Sequence, residues 1–400
     1  MRKIRLILLF AAMATACYGQ DRYDAILSAI SMSSRGEYQD AVTKLTSELT
    51  VAPSPELYIQ RGEIYLKESK PLSATQDFQA AENLKKGAGL YGLAKCAAMT
   101  GDATRAVSYL ESYLRTTDKR SEAEIVLDES FTAINSSAEW RALWRKEWYK
   151  GYEKMQWDVQ HNLATGRIDL AGEALADLQA EYPDMPVTEF CKASVAIAKG
   201  SLNEAFEILK TLTAREDVKA EYLLAMAKAQ EGLGNYYEAS RVYGQLISME
   251  LPDATLYLKK AEMLSRAGDN EAAVKDLKKY LSYYPEDFNG LSLLGKVFAA
   301  EGSIYDALPY LNRNVENHPG EARAFSLRGD AWFAGRTWDK AVEDYTMSLD
   351  LDPQDPAVNL NLGISLVNIS KQEDACHYFR KANALGEKKA AQYISRYCIR

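Results

Sequence analysis

An all-α fold of stacked helix pairs is predicted by two registers and one phase of turn residues. Ala171, Ala205, Ala239, Ala273, Ala307, Ala341 and Ala375 follow one another at a fixed step of 34 residues. A second small-residue register runs through Ala193, Ala227, Ala261, Gly295, Gly329 and Gly363. Gly166, Gly200, Gly234, Gly268 and Gly302 keep the same step between them. A fixed period of this length is the signature of a repeat array with one continuous core. Two small positions per period mean two helices that approach closely, because only small side chains permit close approach.

Each element of the unit has its own signal. In the segment from Ala322 to Pro353, Phe325, Trp332, Tyr345 and Leu349 supply apolar bodies at helical spacing on either side of a turn at Gly335-Arg336-Thr337. The next unit repeats the pattern with Leu362, Gly363, Ala375, Phe379 and Ala382. The phased glycines mark the turn inside each pair, where a positive φ costs glycine nothing. Pro183, Pro285, Pro319 and Pro353 share a phase just past the second helix, which proline ends. Upstream the alanine phase continues at Ala41, Ala74 and Ala106, and Gly36 to Ala41 reads as a turn entering a second helix.

These residues resemble the tetratricopeptide repeat, whose aromatic, Leu-Gly, tyrosine, alanine, aromatic and proline positions recur over 34 residues. The resemblance covers most of the chain and implies a right-handed α-solenoid of about ten helix-turn-helix units. Three units fall in a block at 21–118 and seven at 151–386, with one degenerate helical pair at 119–150 and a capping helix at 387–400.

Composition bounds the function. The chain is 47% hydrophobic and 26% charged, enough for a long core. Its net charge is −8, and becomes −11 if Arg2, Lys3 and Arg5 leave with a leader. That acidity argues against nucleic acid as the main partner, since phosphate binding needs a basic surface. The basic start Met1–Arg5, the apolar run Leu6–Ala14 and the small residues up to Gly19 read as a signal peptide over 1–19, too short to span a membrane. No later segment is apolar enough to be a transmembrane helix. Cys17 follows Ala14-Thr15-Ala16, which loosely resembles a bacterial lipoprotein box, so soluble export and a lipid anchor at Cys17 both stand. The expected destination is the periplasm or outer membrane of a Gram-negative bacterium.

The last unit of a solenoid needs a cover for its apolar face. Ala390, Ala391, Ile394, Tyr397 and Cys398 form a helical stripe for that purpose, after a break at Gly386. A hairpin folded about 386–387 sets Cys376 opposite Cys398, a candidate disulfide in an oxidising compartment. Two buried thiols are the alternative. Cys96 and Cys191 read as packing residues.

Residues 119–150 hold Phe131, Ile134, Trp140, Leu143, Trp144 and Trp148. Helical spacing i, i+4, i+8 would put Trp140, Trp144 and Trp148 on one face. That face is either filler for a joint between two repeat blocks or an aromatic groove for a partner or glycan.

Catalytic patterns are missing from the sequence. His161, His318 and His377 are scattered without metal-ligand spacing, and no metalloprotease, nucleophile-elbow or phosphate-loop motif occurs. Neither metal nor cofactor is expected, and no enzyme. Binding is the remaining route: in the resembled family, first helices line a concave groove, where the fifth and ninth positions of each unit meet an extended peptide. Here those rows contain Tyr91, Gln156, Phe190, Lys228, Glu262, Lys296 and Asp330. They do not reproduce the lysine–asparagine clamp of chaperone-binding members. Lys228, Glu262, Lys296 and Asp330 alternate in sign, which reads either as a ladder of mutual ion pairs or as a docking strip for a polypeptide. The expectation is a non-catalytic scaffold for protein or peptide partners in the envelope. A receptor-like module for a small ligand such as a glycan is the alternative.

Overall fold

The structure is a computed structural model, which describes residues 21–117 and 119–398. The expected signal peptide at 1–19 and Cys17 lie outside the described residues. Every regular element among the described residues is helical. The first three pairs are the helix over 21–34 (α1) with Tyr38–Val51 (α2), Pro55–Lys67 (α3) with Pro71–Leu84 (α4), and Leu90–Met99 (α5) with Ala103–Tyr113 (α6). Short pieces follow: Glu122–Val126 (α7), a 3-10 turn at Glu129–Phe131, and Ala138–Leu143 (α8). Regular helices resume with Gly151–Ala164 (α9), Ile168–Glu181 (α10), Pro186–Ala198 (α11), Leu202–Thr213 (α12), Ala220–Gly232 (α13) and Tyr236–Ser248 (α14). The rest are Thr255–Arg266 (α15), Asn270–Tyr283 (α16), Phe288–Ala300 (α17), Ile304–Asn317 (α18), Ala322–Ala334 (α19), Trp338–Leu351 (α20), Pro356–Asn368 (α21), Gln372–Ala384 (α22) and Ala390–Tyr397 (α23).

Two compact units emerge. One runs to Gly234 and includes Gln245–Asp253; the other comprises Asn235–Gly244 and Ala254–Arg400. The division falls in α14, and the short-helix stretch lies inside the first unit. Inside the first unit the Tyr23 hydroxyl donates to the Leu251 carbonyl at 2.9 Å, and Arg22 pairs with Glu250.

The helix pairs close through one recurring backbone device. The residue after the turn sends its N–H five residues back: Asp269 to Leu264 at 2.9 Å, Ser303 to Phe298 at 2.9 Å, Thr337 to Trp332 at 2.9 Å. This is the Schellman closure, and it forces a positive φ on the residue before. Gly268 has φ 86° and Gly302 φ 77°, whereas Ser69, Arg336 and Ser370 hold the same conformation without being glycine. In the unit at 322–353 the left-handed residue is Arg336, in step with Gly268 and Gly302 inside the expected turn, while the neighbouring Gly335 has φ −76°.

Packing follows the two small registers. The seven phased alanines, with Ala41, Ala74 and Ala106, are each 0% exposed. The second register faces a large residue 16 positions later. A Cβ added at Gly62 would lie 2.9 Å from Phe78, at Gly295 2.4 Å from Leu311, at Gly329 2.8 Å from Tyr345, and at Gly363 2.5 Å from Phe379. One residue before the register, three pairs carry an ion pair across the same helix contact. These are Arg61–Asp77 at 2.7 Å, Lys260–Asp276 at 2.8 Å and Arg328–Asp344 at 2.7 Å, with every aspartate buried. Arg61 and Arg328 also donate backwards to Thr46 and Asn312, so each ties three successive helices. None of these clamps was legible without knowing which helices face each other.

The stretch at 119–150 departs from expectation. Its helical pieces are too short to carry three indoles on one face: α8 ends at Leu143, and Trp148 lies beyond it, donating its indole N–H to the Leu143 carbonyl at 2.9 Å. At the other end, α23 packs on α22, and Tyr393 and Tyr397 stack over Phe379 at 5.2 and 6.4 Å. Residues 387–389 form the turn. The covering face is Ala390, Tyr393, Ile394 and Tyr397, while Ala391 is exposed, a one-residue rotation from the expected stripe. A disulfide joins Cys376 to Cys398 with Cα atoms 5.6 Å apart.

Candidate functional site

All seven expected groove residues lie on first helices, but they divide into three environments. Tyr91 on α5 and Phe190 on α11 are buried. The Tyr91 hydroxyl donates to Asp128 at 2.7 Å, and Arg120 and Lys95 sit 4.8 and 5.5 Å from its ring. Burial, reinforced by the Asp128 carboxylate, pushes this phenol far above its ordinary range. Lys95 is itself buried and bonds Glu63 at 2.6 Å, joining two consecutive ninth positions. Tyr91 is thus the centre of a polar network rather than an open contact. Phe190 packs on Tyr222 at 5.0 Å, and burial pushes the Tyr222 phenol up to about 12. Gln156 on α9 is half-buried, and Lys228 on α13 is exposed beside exposed Leu224.

The tryptophans join the Tyr91 network rather than a free surface. Ring contacts run from Tyr91 to Phe131 at 5.8 Å, to Trp140 at 5.3 Å and to Trp144 at 5.6 Å. Trp140 is 5% exposed. The Trp144 N–H is enclosed without a hydrogen-bond partner among the described residues. Trp148 is half-buried, with Arg115 and Lys146 at 5.6 and 5.9 Å from its ring.

The second unit contains an open cleft of ≈ 740 Å³ across the first helices α15, α17 and α19. It brings together Glu262 and Lys296 with the fifth-position residues Leu258 and Ser292. Glu262 pairs inside its own helix, with Lys259 at 3.5 Å and Arg266 at 2.8 Å. Asp330 on α19 accepts from Tyr345 at 2.7 Å and from Asn361 at 3.3 Å. The expected ladder of mutual ion pairs therefore does not form at these two acids, because nearer donors hold them. Withdrawal from water pushes the Asp330 carboxyl above its usual range, against those hydrogen bonds and the attraction of Lys296. Lys296 is drawn down, first by desolvation and then by the neighbouring Arg323 cation.

Thr255, Asn289 and Arg323 also line the cleft. They stand 34 residues apart, in a row that the fifth and ninth positions do not include. The period itself carried the signal for them, had the second position of each unit been followed. The cleft is a surface written in register by successive first helices.

These features define the class: an all-α repeat array whose first helices line a groove. The sequence profile of the tetratricopeptide repeat matches residues 224–288, 258–313 and 292–356. Residues 224–356 are thus tetratricopeptide repeats, and the helix pairing of the other described residues follows the same pattern. It is similar to the human aspartyl/asparaginyl beta-hydroxylase, 26% identical over 180 residues, which is 42% of this chain and 24% of that protein. It is also similar to the BBSome complex member BBS4 of Xenopus tropicalis, 30% identical over 120 residues, 29% of this chain and 23% of that protein. The chain thus spans about a quarter of either relative's length. Among solved structures, MamA from Desulfovibrio magneticus RS-1 is 26% identical with TM-score 0.39, covering 42% of this chain and 94% of that one. The anaphase-promoting complex hetero-tetramer Cut9–Hcn1 is 13% identical with TM-score 0.43, covering 94% and 96%. No helix among the described residues is long and apolar enough to cross a membrane.

Proposed function

We propose that this protein is an exported, non-catalytic scaffold of the bacterial cell envelope that holds extended polypeptide segments along its first helices. The observation that carries this reading is the cleft of the second unit. Its rows Thr255, Asn289, Arg323 and Leu258, Ser292 and Glu262, Lys296 repeat at the period of the fold, as one strand-like ligand would require. Ser292 is buried and bonded to Asn314, but Thr255, Asn289, Lys296 and Arg323 are exposed at the cleft, and exposed polar positions in register speak for a contact surface.

Export is supported by the basic start and apolar run at the N-terminus and by the Cys376–Cys398 bond, which belongs in an oxidising compartment. Mass spectrometry of the mature N-terminus separates soluble delivery from lipidation at Cys17. The tryptophan stretch is a weaker candidate for ligand binding, because Trp140 is buried among Phe131 and Tyr91.

The test is selection of displayed random peptides against the full chain, followed by hydrogen exchange of the complex. Selected peptides should protect α15, α17 and α19. Peptides that protect only other helices would reject the groove.

A further inference from the structure

The cleft of the second unit carries an uncompensated positive charge. Four cations line it, Lys259, Arg266, Lys296 and Arg323, with two acids, Glu262 and Asp287. Both acids are engaged within the chain: Glu262 by Lys259 and Arg266, and Asp287 as the N-cap of α17, accepting the Gly290 N–H at 2.7 Å. Lys296 and Arg323 have no carboxylate within ion-pair distance among the described residues. Asp330 attracts Lys296 from further off, but its oxygen is already bonded by Tyr345 and Asn361. Arg323 rests against the Phe288 ring at 5.7 Å.

Lys296 and Arg323 are both exposed on the cleft wall, and each adds a positive charge to the same open space. An anion placed between them would meet both. This happens on a protein whose net charge is −8, so the local field runs against the global one. Leu258 and Leu293 line the same cleft and offer apolar contact beside the cations.

We propose that this cleft binds an extended peptide segment bearing acidic side chains, whose carboxylates sit between Lys296 and Arg323 while neighbouring apolar side chains pack on Leu258 and Leu293. This rests on the groove reading above and names the chemistry of its occupant.

The experiment uses the full chain and two dye-labelled dodecapeptides, three repeats of Leu-Glu-Ser-Glu and the matching Leu-Gln-Ser-Gln, followed by fluorescence anisotropy. The Glu peptide should bind about tenfold tighter, a preference that shrinks with rising salt as screening shortens the reach of the cations. In the Lys296→Gln/Arg323→Gln double variant the preference should fall to about twofold or less. Lys210→Gln, on α12 outside the cleft, should keep it. Thermal melts confirm that the variants fold.

Equal affinity for the two peptides would overturn the anionic proposal and leave the groove reading intact. An unchanged preference in the double variant would overturn the assigned site. Displacement of the Glu peptide by inorganic phosphate but not by equal acetate would replace the carboxylate by a phosphoryl ligand. No saturable binding of either peptide would overturn the proposal, whereas the groove reading would still be judged by its own display selection.

Discussion

Arg336 holds φ at 55° in the turn position that Gly268 and Gly302 fill in the two preceding units. A side chain there strains against its own carbonyl by about 1–2 kcal/mol, part of which glycine gives back through its freer unfolded chain. Arg336→Gly is therefore expected to stabilise by about 0.5–1 kcal/mol, and Gly268→Ala to destabilise by about 1 kcal/mol, in chemical denaturation. The turns were legible because one residue type dominates a left-handed position. The exceptions at Arg336, Ser69 and Ser370 were not, since nothing local distinguishes them from ordinary polar residues. Charge at single residues has a sign that can be worked through. Asp330 has a folded pKa above its unfolded one, so its contribution is complete below the unfolded carboxyl range and is lost as pH rises through the folded pKa. Asp330→Asn should flatten that fall between acid and neutral pH. Lys296 is depressed, so its contribution is complete above the ordinary lysine range and is lost as pH falls through the folded pKa. Lys296→Gln should then be no less stable than the parent at neutral pH. A clear loss of melting temperature there would show that Lys296 is a structural cation.

At the scale of the helix pair, the size of one side chain answers the absence of another. Gly363 on α21 faces Phe379 on α22, and an added Cβ would lie 2.5 Å from that fully buried ring. Phe379 is held on its other side by the Tyr393 ring of α23, so it has little room to retreat. Gly363→Ala should cost about 1–3 kcal/mol as an overpacked core, against the small gain in helix propensity that alanine brings. Gly363→Ala combined with Phe379→Leu should recover part of the loss. If the double variant is no more stable than the single, the contact is not what limits it. Both registers were visible in the sequence as a rhythm, and the period alone sufficed to place the helices. The rule that links position i to i+16 needs the antiparallel packing of the pair, as do the Arg61–Asp77 and Arg328–Asp344 clamps. The ladder expected of Glu262 and Asp330 failed for a related reason: Lys259 and Arg266 on the same helix, and Tyr345 on the next, are closer than any neighbouring ninth position.

A repeat array distributes its stability as a sum over neighbours, so damage at one end stays near that end. The last helix of the described residues, α23, is fastened to α22 by Cys376–Cys398, closing a loop with a sequence separation of 22. In the chain-entropy view such a closure contributes about 3 kcal/mol by limiting the unfolded state. Cys398→Ser should remove most of this from α22 and α23 and leave the helices that line the cleft unaffected. Hydrogen exchange distinguishes the two: amides of α22 and α23 should exchange faster, while those of α15 and α17 keep their parent rates, as should affinity for the acidic dodecapeptide. Acceleration that reaches α15 would mean that the terminal clamp stabilises the array as one cooperative body. The groove would then depend on the redox state of a bond that lies outside it, beyond α20. The two free thiols among the described residues do not interfere. Cys96 and Cys191 are buried, and burial pushes the Cys191 thiol up to about 12, so neither offers a thiolate that could exchange with the bond.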